Sequence, residues 1–299
     1  MLDQRVWQPP FPLDMGAVLA PLRRGRGDPA FQVDRDGAVW LAVNTAEGVG
    51  TLSLRRGGTE IVARAWGAES LVDGVPDLLG AADDGADFVA HHDIVATIRR
   101  RMPGLRLGAT GRVWDVLVPS ILEQKVTGHE ARRSWRELCR RFGTPAPGPV
   151  PATMFAPPTP RAILSITDWQ WHACGLDGAR RRTLINAAQV ASRLERAAQL
   201  RGEEGRTLLR KVPGIGVWTA AEVAQRAWGD PDAVSVGDFH IPSVVGYALV
   251  GRPLDDEGML EVLGPYAPQR QRAVRYLEAA GVRRPRFGPR FSGRDYRAM

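Results

Sequence analysis

Apolar and polar residues alternate along two stretches near the start of the chain. The stretch FQVDRDGAVWLAVN (31–44) has an Asp-Gly pair between two alternating runs, and TLSLRRGGTEIVARAW (51–66) repeats this arrangement around a Gly-Gly pair. Such a pair between alternating runs is typical of a β-hairpin. With short helices expected at 15–22 and 69–79, we predict that residues 1–100 form an antiparallel α+β domain.

From residue 105 onward, apolar positions recur every three to four residues. Trp114, Leu117 and Ile121 form one such stripe, and similar spacing continues through 131–142 and 180–200. This period is typical of helices that bury one face. The pattern therefore predicts a long amphipathic helix over 180–200 and a helical character for the rest of the chain.

These patterns divide the chain into three parts. After the α+β domain, we predict a helical core over 101–282, interrupted by a Pro-rich connection at 143–160. Residues 283–299 are basic and punctuated by Pro and Gly, which predicts a flexible tail. Further helices in the core are predicted at 239–249, 257–263 and 269–280.

The segment KVPGIGVWTAAEVAQRAWGD (211–230) combines a glycine-containing turn with the start of a helix. Gly214 and Gly216 lack a Cβ, so the turn can adopt positive φ and bring backbone N–H groups close to a partner. A helix starting near Val217 points its positive dipole end and its unpaired N–H groups at the same place. The segment therefore predicts a phosphate-binding hairpin.

A carboxylate, Asp238, follows this helix in the sequence Ser-Val-Gly-Asp-Phe-His, 22 residues after Gly216. One interpretation is structural, because Asp is a favoured N-cap and a helix is predicted to begin near Ile241. The other is chemical, because the loop delivers a carboxylate close to the hairpin. The hairpin upstream favours the chemical interpretation.

Composition narrows the class of partner. The chain has 40 Lys and Arg against 33 Asp and Glu, a formal net charge of +7 at pH 7, and a pI of about 10.2. This balance is typical of nucleic-acid binding. Two cysteines exclude a four-cysteine iron–sulfur cluster and a Cys-rich zinc site. With no signal peptide and no apolar run that could span a membrane, we expect a cytoplasmic protein.

The hairpin, helix and Gly-Asp loop over 211–240 resemble the helix-hairpin-helix DNA glycosylases. The stretches PGLRL (103–107), ILEQ (121–124) and FAPPTP (155–160) are similar to the bacterial 3-methyladenine DNA glycosylase II type. This resemblance extends over residues 1 to about 282 and is most specific in the hairpin region. It implies an α+β fold in which an antiparallel sheet domain precedes an all-helical core, with two helical subdomains flanking the active-site cleft.

The resemblance also implies a role for particular residues. It implies that Asp238 is the catalytic residue, which would act at the sugar of a nucleotide flipped out of the duplex. Trp218 and Glu222 are expected to line the base pocket. The residues implied to bind DNA are Pro213, Gly214, Ile215, Gly216, Thr219, Gln124 and Lys125. No metal or organic cofactor is implied, and a structural monovalent cation at the hairpin is left open.

Trp218 decides the type of chemistry expected. It lies where lyase-type members of the family carry the lysine that attacks the sugar, and tryptophan cannot form a Schiff base. The chain has only two lysines, Lys125 and Lys211, so we expect a monofunctional enzyme that leaves an abasic site in an intact strand. Trp218 resembles the aromatic residue on which methylated bases stack in alkylation-repair members; packing in the core is the alternative.

Three positions depart from the family pattern. Lys125 replaces an apolar wedge residue; it can hold a phosphate or span the gap, but it cannot stack. Glu222 replaces an aromatic residue. Where the family has the motif Pro-aromatic-Arg-Ser-x-Ala, this chain has Pro-Gln-Arg-Gln-Arg-Ala, starting at Pro268. An acidic, less aromatic pocket fits a cationic lesion or a substrate outside the usual set, and both remain open.

The sequence thus predicts a monofunctional DNA glycosylase of base excision repair. It would act as a monomer on damaged double-stranded DNA, flip out a damaged base, most simply an alkylated purine, and hydrolyse its N-glycosidic bond. One alternative is a glycosylase of the same fold that excises a deaminated, oxidised or bulky base. Another is a protein that binds damaged DNA without cleaving it.

Overall fold

The structure is a computed structural model that describes residues 2–283. The predicted basic tail, 283–299, lies outside the described residues apart from its first position. In the described part, no helix combines the length and the apolar character that a membrane span requires.

The N-terminal region forms a five-stranded antiparallel sheet, which confirms the prediction from the alternating stretches. In chain order its strands are β1 (Leu2–Trp7), β2 (Phe31–Val33), β3 (Val39–Thr45), β4 (Gly48–Gly57) and β5 (Glu60–Trp66). Across the sheet the order is β1-β5-β4-β3-β2. Strand β1, which no hairpin pattern indicated, pairs with β5 along its whole length.

One face of the sheet is covered by short helices. In the register, Leu41 of β3 lies opposite Leu52, and Leu54 of β4 lies opposite Ala63. These side chains pack with α1 (Met15–Leu19) and α2 (Val75–Leu78) in one apolar cluster. The two predicted helices of this region are each completed by a 3-10 turn rather than continued as α-helix.

The rest of the described chain is mostly helical. Its helices are α3 (Asp93–Arg101), α4 (Val113–Leu122), α5 (Gly128–Phe142), α6 (Pro160–Ser165), α7 (Asp168–Ala173), α8 (Gly178–Gln189), α9 (Ala191–Leu194), α10 (Ala197–Leu200), α11 (Gly202–Arg210), α12 (Val217–Ala227), α13 (Ile241–Val250), α14 (Asp256–Leu263) and α15 (Arg270–Ala279).

The helices bury two separate apolar clusters. Helices α4 to α12 contribute to the first, and α3 and α13 to α15 form the second. Val95 and Ile98 of α3 are buried in this second cluster, so α3 packs with the C-terminal helices and not with the sheet that precedes it. The domain boundary expected at residue 100 thus falls inside a helix.

The Pro-rich connection departs from the expected all-helical core. It contains a short antiparallel ribbon of β6 (Thr144–Pro145) and β7 (Phe155–Ala156). Ala156 and Met154 pack against Trp40 on the other face of the N-terminal sheet. Proline lacks the N–H that a helix interior needs, so this segment pairs as an extended ribbon and ties the core to the sheet.

The helix predicted over 180–200 is wrong in its length, because the chain breaks into α8, α9 and α10. At Val190 the backbone leaves the helical region, with φ −123° and ψ 15°. The change of direction brings the Glu195 carboxylate to the start of α4. There it accepts hydrogen bonds from the backbone N–H of Val113 (2.9 Å) and Trp114 (2.8 Å). The spacing of apolar residues could not predict this cap, because Glu195 and the start of α4 are far apart in the sequence.

The chain passes from the first helical cluster to the second between α12 and α13. Ala233 is buried in the first cluster, whereas Val234 is buried in the second. Asp238 lies in this crossing segment, so the fold places the predicted catalytic carboxylate at the border between the two helical clusters.

Candidate functional site

Helices α11 and α12 and the turn between them form the predicted hairpin, and its two glycines differ. Gly214 has φ +96°, and a Cβ there would overlap the side chain of Thr183 in α8. Gly216 has φ −92° and is extended, and a Cβ there would meet no atom of the described chain within 4 Å. Only Gly214 is therefore required by the fold itself. Gly216 leaves the hairpin surface open.

Side chains from the loop after α4 and from α8 hold the hairpin by hydrogen bonds. The amide nitrogen of Gln124 donates to the carbonyl of Gly214 (3.0 Å) and to the hydroxyl of Thr219 (2.8 Å). Asn186 donates to the carbonyl of Pro213 (3.2 Å). Thr219 and Ile215 are buried. Gln124 and Thr219, both predicted to bind DNA, thus make hydrogen bonds that hold the hairpin in place.

The open surface of the hairpin lies at the first turn of α12. Pro213, Gly214 and Gly216 are exposed, and 46 % of Val217 is exposed. Within residues 2–283, no side chain caps the N-terminus of this helix. Its first N–H groups therefore face outward without a side-chain acceptor, as a phosphate site requires.

Lys125 lies beside this surface, directly after the Gln124 that holds the hairpin. It is exposed, and its backbone has φ +52°, a left-handed conformation that is uncommon outside glycine. The loop between α4 and α5 thus presents a cation close to the open N-terminus of α12.

Metal binding has little support in the described residues. They contain no group of three or more His, Cys, Asp or Glu side chains that could hold a metal ion. A monovalent cation at the hairpin would bind backbone carbonyls. Those of Pro213 and Gly214 already accept hydrogen bonds from Asn186 and Gln124, and the cation stays a prediction.

Asp238 is held by three N–H donors. Its Oδ1 accepts from the backbone N–H of His240 (2.7 Å) and Ile241 (3.0 Å), at the start of α13. Its Oδ2 accepts from the indole N–H of Trp218 (3.0 Å). One oxygen therefore caps a helix, as the structural interpretation expected. The other faces the start of α12, as the chemical interpretation requires.

Trp218 lies at this meeting point and is not a core residue. Its side chain is half-buried, and its indole connects the first turn of α12 to Asp238. The core tryptophan of this region is Trp228, which is 6 % exposed and hydrogen-bonded to Asp230. The N–H edge of the Trp218 indole is thus fixed next to the carboxylate.

One further residue near Asp238, Phe239, was not identified from the sequence as part of a site. Phe239 is 63 % exposed, which is unusual for an aromatic side chain. Its ring meets the exposed His240 edge-to-face, with centroids 5.0 Å apart. The signal that could have found Phe239 is its position next to Asp238 in a predicted loop.

Glu222 lies one turn after Trp218 and is neutralised inside the protein. Its carboxylate accepts from the hydroxyl of Ser235 (2.6 Å) and pairs with Arg226 (2.9 Å). Arg226 also donates to the carbonyl of Pro21, near the end of the N-terminal α1 region (3.0 Å). Burial alone lowers the pKa of Arg226, but the neighbouring carboxylates, Glu222 first, raise it above its ordinary value. The free acidic pocket suggested by the sequence is therefore an ion pair.

Solved structures show which class of protein has this fold. A 3-methyladenine DNA-glycosylase from Archaeoglobus fulgidus superposes with a TM-score of 0.76, covering 91 % of this chain and 96 % of its own, at 16 % identity. MBOgg1 in complex with a low affinity DNA ligand gives 0.73, with 93 % and 95 % covered and 15 % identity. The chain has the fold of the helix-hairpin-helix DNA glycosylases, which confirms the resemblance.

More particular relatives come from two further matches. The apo 8-oxoguanine glycosylase/lyase of Clostridium acetobutylicum has a TM-score of 0.72, with 93 % and 96 % covered and 12 % identity. A probable bifunctional transcriptional activator/DNA repair enzyme AlkA of Mycobacterium tuberculosis is 26 % identical over 181 residues, which is 59 % of this chain. The chain spans about a third of that relative's length, 35 %. No family model matches the chain.

Proposed function

We propose that this protein is a monofunctional DNA glycosylase that acts as a monomer on damaged duplex DNA. The observation that carries the proposal is the placement of Asp238. Its carboxylate lies at the border of the two helical clusters, bonded to Trp218 at the open end of α12. A fold shared with known glycosylases and a repair enzyme among its relatives support the same function.

The hairpin would position the DNA. Its outward N–H groups and the dipole of α12 suit a backbone phosphate, and such contacts set the register without selecting a base sequence. The exposed Lys125 adds a positive charge at the same surface. Binding here would support the flipping of a neighbouring nucleotide, which costs a few kcal/mol and least for a damaged base.

Asp238 would carry the chemistry. As the C1′–N bond breaks, positive charge develops on the sugar, and an oriented carboxylate stabilises it. The N–H groups of Trp218, His240 and Ile241 fix the two oxygens of the carboxylate before the DNA arrives. Asp238 also supplies an acceptor that orients or deprotonates the attacking water. No metal is needed for these steps.

Hydrolysis without strand cleavage follows from the residue types. Lyase chemistry needs an amine that attacks the sugar, and Trp218 occupies the position beside Asp238 where such an amine would act. The chain's two lysines, Lys125 and Lys211, both precede the hairpin turn in the sequence, and neither occupies the position of Trp218. The expected product is an abasic site in an intact strand.

An alkylated purine is the substrate class we infer. The fixed indole of Trp218 offers a face on which an electron-poor methylated base stacks favourably. The name of the archaeal structure, a 3-methyladenine DNA-glycosylase, points to the same class. The test is to incubate the protein with duplexes that each carry one lesion, alkylated, deaminated or oxidised, and to measure the released base. Release from the alkylated set supports the inference, and release from the oxidised set alone contradicts it.

A further inference from the structure

Four arginine side chains from two parts of the chain lack a carboxylate partner. Two belong to the segment RRGRGD (23–28), which we call the arginine loop, and two belong to α5. Within residues 2–283, none of the four forms an ion pair with an acidic side chain. Three of them are exposed and the last is half-buried. They are Arg23, Arg26, Arg132 and Arg136, and together we call them the arginine surface.

Buried contacts fix the backbone of the arginine loop. The Asp28 carboxylate accepts hydrogen bonds from the backbone N–H of Arg24 (2.6 Å) and from the indole N–H of Trp135 in α5 (2.8 Å). All three of these residues are buried. Arg23 and Arg26, on either side of Arg24 in the sequence, are exposed. The buried residues thus anchor the loop, and the exposed ones are held as cations before any partner binds.

Two glycines bring the arginine loop against α5. Gly25 has φ +82°, and a Cβ there would lie 2.7 Å from Cδ of Arg132. Gly27 has φ +72°, and a Cβ there would lie 3.8 Å from Cδ of Arg136. Arg132 and Arg136 are one helical turn apart on the same face of α5. The loop therefore runs along this turn, and Arg26, between the two glycines, adds its charge to those of the helix.

The loop between α4 and α5 connects the arginine loop to the hairpin. Its residue Glu123 pairs with Arg24 of the arginine loop (3.7 Å). The next residue, Gln124, donates to the carbonyl of Gly214 in the hairpin. Neighbouring residues of one loop therefore contact both parts, and the exposed Lys125 follows directly after them.

Positive charge continues from Lys125 into the first turns of α5. Gly128 begins this helix and is exposed. A Cβ on Gly128 would lie 3.6 Å from Nη2 of Arg132, so the guanidinium of Arg132 reaches back toward Lys125. Glu130, the acidic residue of this turn, is buried and accepts from the N–H of Thr127. The arginine surface is thus continuous with Lys125 on the side away from the hairpin.

We propose that the arginine surface binds the phosphate backbone of the duplex flank beyond the damaged base, on the side of Lys125 away from the hairpin. The inference rests on the proposed function, since it takes duplex DNA as the partner. Duplex DNA carries one negative charge per ~1.7 Å of its axis, which matches a cluster of cations held on a rigid loop. Guanidinium groups bind phosphate oxygens in bidentate pairs. Such contacts extend the DNA-binding surface to the N-terminal domain without selecting a base sequence.

The first test is the salt dependence of duplex binding. Arg23→Gln/Arg26→Gln removes two exposed charges that make no hydrogen bond within the described residues. The slope of log K against log salt concentration should become shallower by about 1.8, two contacts at about 0.9 each. Damaged and undamaged duplexes should be affected alike, because the contacts are to phosphates.

Two further variants complete the design. Arg132→Gln/Arg136→Gln should change the salt slope by the same amount from the α5 side. Arg35→Gln/Arg64→Gln removes two exposed charges elsewhere in the N-terminal sheet domain. It is the charge-matched control and should change the slope by less than one contact, about 0.9. If the α5 variant folds poorly, Arg23→Gln/Arg26→Gln still tests the surface, because denaturant unfolding should show wild-type stability for it.

Duplex length then locates the contact. The damaged base is placed so that the flank on one side, and in a second duplex the flank on the other side, ends less than one helical turn away, about 10 bp. Shortening one flank, and not the other, should weaken binding by the wild type and make its salt slope shallower. Shortening the same flank should have little further effect on Arg23→Gln/Arg26→Gln.

The outcomes separate the inference from the proposed function. An unchanged salt slope in both arginine-surface variants, an equal change in Arg35→Gln/Arg64→Gln, or a loss that does not depend on flank length would overturn the duplex contact while base release stands. A wild type that shows the expected slopes and flank dependence but releases no base from any lesion would overturn the glycosylase function, and the contact would remain.

Discussion

The hairpin and the protein interior next to it differ in whether their polar groups have hydrogen-bond partners within the protein. At the first turn of α12, Gly216 and Val217 are exposed, and no side chain in the described part caps the helix. One turn later, Glu222 is bonded to both Arg226 and Ser235. The first region is left open for a partner that the protein does not supply. The second is complete before any partner binds.

Trp218 and Asp238 join these two regions. The indole N–H of Trp218 reaches one oxygen of Asp238, while backbone N–H groups at the start of α13 hold the other. The carboxylate therefore has a fixed orientation at the edge of the open surface. Under the proposed function, the hairpin N–H groups that lack a side-chain acceptor would bind DNA, whereas the Asp238 carboxylate, already held by three N–H groups, would carry the chemistry.

The largest effect is expected for Asp238→Asn. Loss of the negative charge should reduce base release by about 10²–10³-fold, the range seen when one electrostatic stabiliser of a transition state is removed. The matched control is Asp255→Asn, because Asp255 caps α14 through the N–H of Gly258 (2.9 Å) without lying at the site. If Asp238 were only a cap, the two variants would behave alike in base release.

Substitution of the two hairpin glycines tests whether the exposed hairpin surface binds DNA. Gly214→Ala should lower the free energy of unfolding by about 2 kcal/mol or more, because a strained φ and an overlap with Thr183 add together. Gly216→Ala should change it by less than about 1 kcal/mol and weaken binding to damaged and undamaged duplexes alike. Denaturant unfolding and duplex binding measure the two effects. A Gly216→Ala protein with unchanged affinity would show that DNA does not approach this surface.

Trp218→Ala should slow base release, because the stacking contact that is lost is worth about 1–3 kcal/mol, the value of one base–aromatic contact. Its melting temperature should change little, because the side chain is only half-buried. Trp228→Ala is the contrasting variant in the core, and it should destabilise the fold by about 3–5 kcal/mol. Unfolding of Trp218→Ala at a temperature as low as that of Trp228→Ala would place Trp218 in the core instead.

The smallest effect is expected for Lys125→Ala. If Lys125 binds a phosphate, the slope of log K for DNA binding against log salt concentration should become shallower by about 0.9, the contribution of one contact. Affinity should fall evenly across base sequences. Lys211→Ala, before the hairpin, is the matched control. An unchanged salt slope together with slower base release would favour the wedge role over the phosphate contact.

Local patterns predicted a large part of the fold. The two hairpins of the sheet, the hairpin of α11 and α12 and the helix after Asp238 depend on nearby residues, so turn chemistry and periodicity identified them. The break at Val190 depends on Glu195 reaching a distant helix. Strand β1 and the packing of α3 likewise depend on residues far away in the sequence.

The site was predictable to the same extent. Gly214, Trp218 and Asp238 are close in sequence and belong to one recognisable motif. Pairing of Glu222 with Arg226 and Ser235 could not be read from spacing alone, since Ser235 approaches from the crossing segment.

The central claim is that this protein removes a damaged base and leaves the DNA strand intact. It is tested most directly by following base release and strand cleavage in one reaction, on the lesion that the wild type releases fastest, with and without borohydride. The account predicts a free base, strand cleavage only after hot alkali, and no covalent adduct. A borohydride-trapped complex that disappears in Lys125→Ala or Lys211→Ala, or DNA binding with no base released from any lesion, would contradict it.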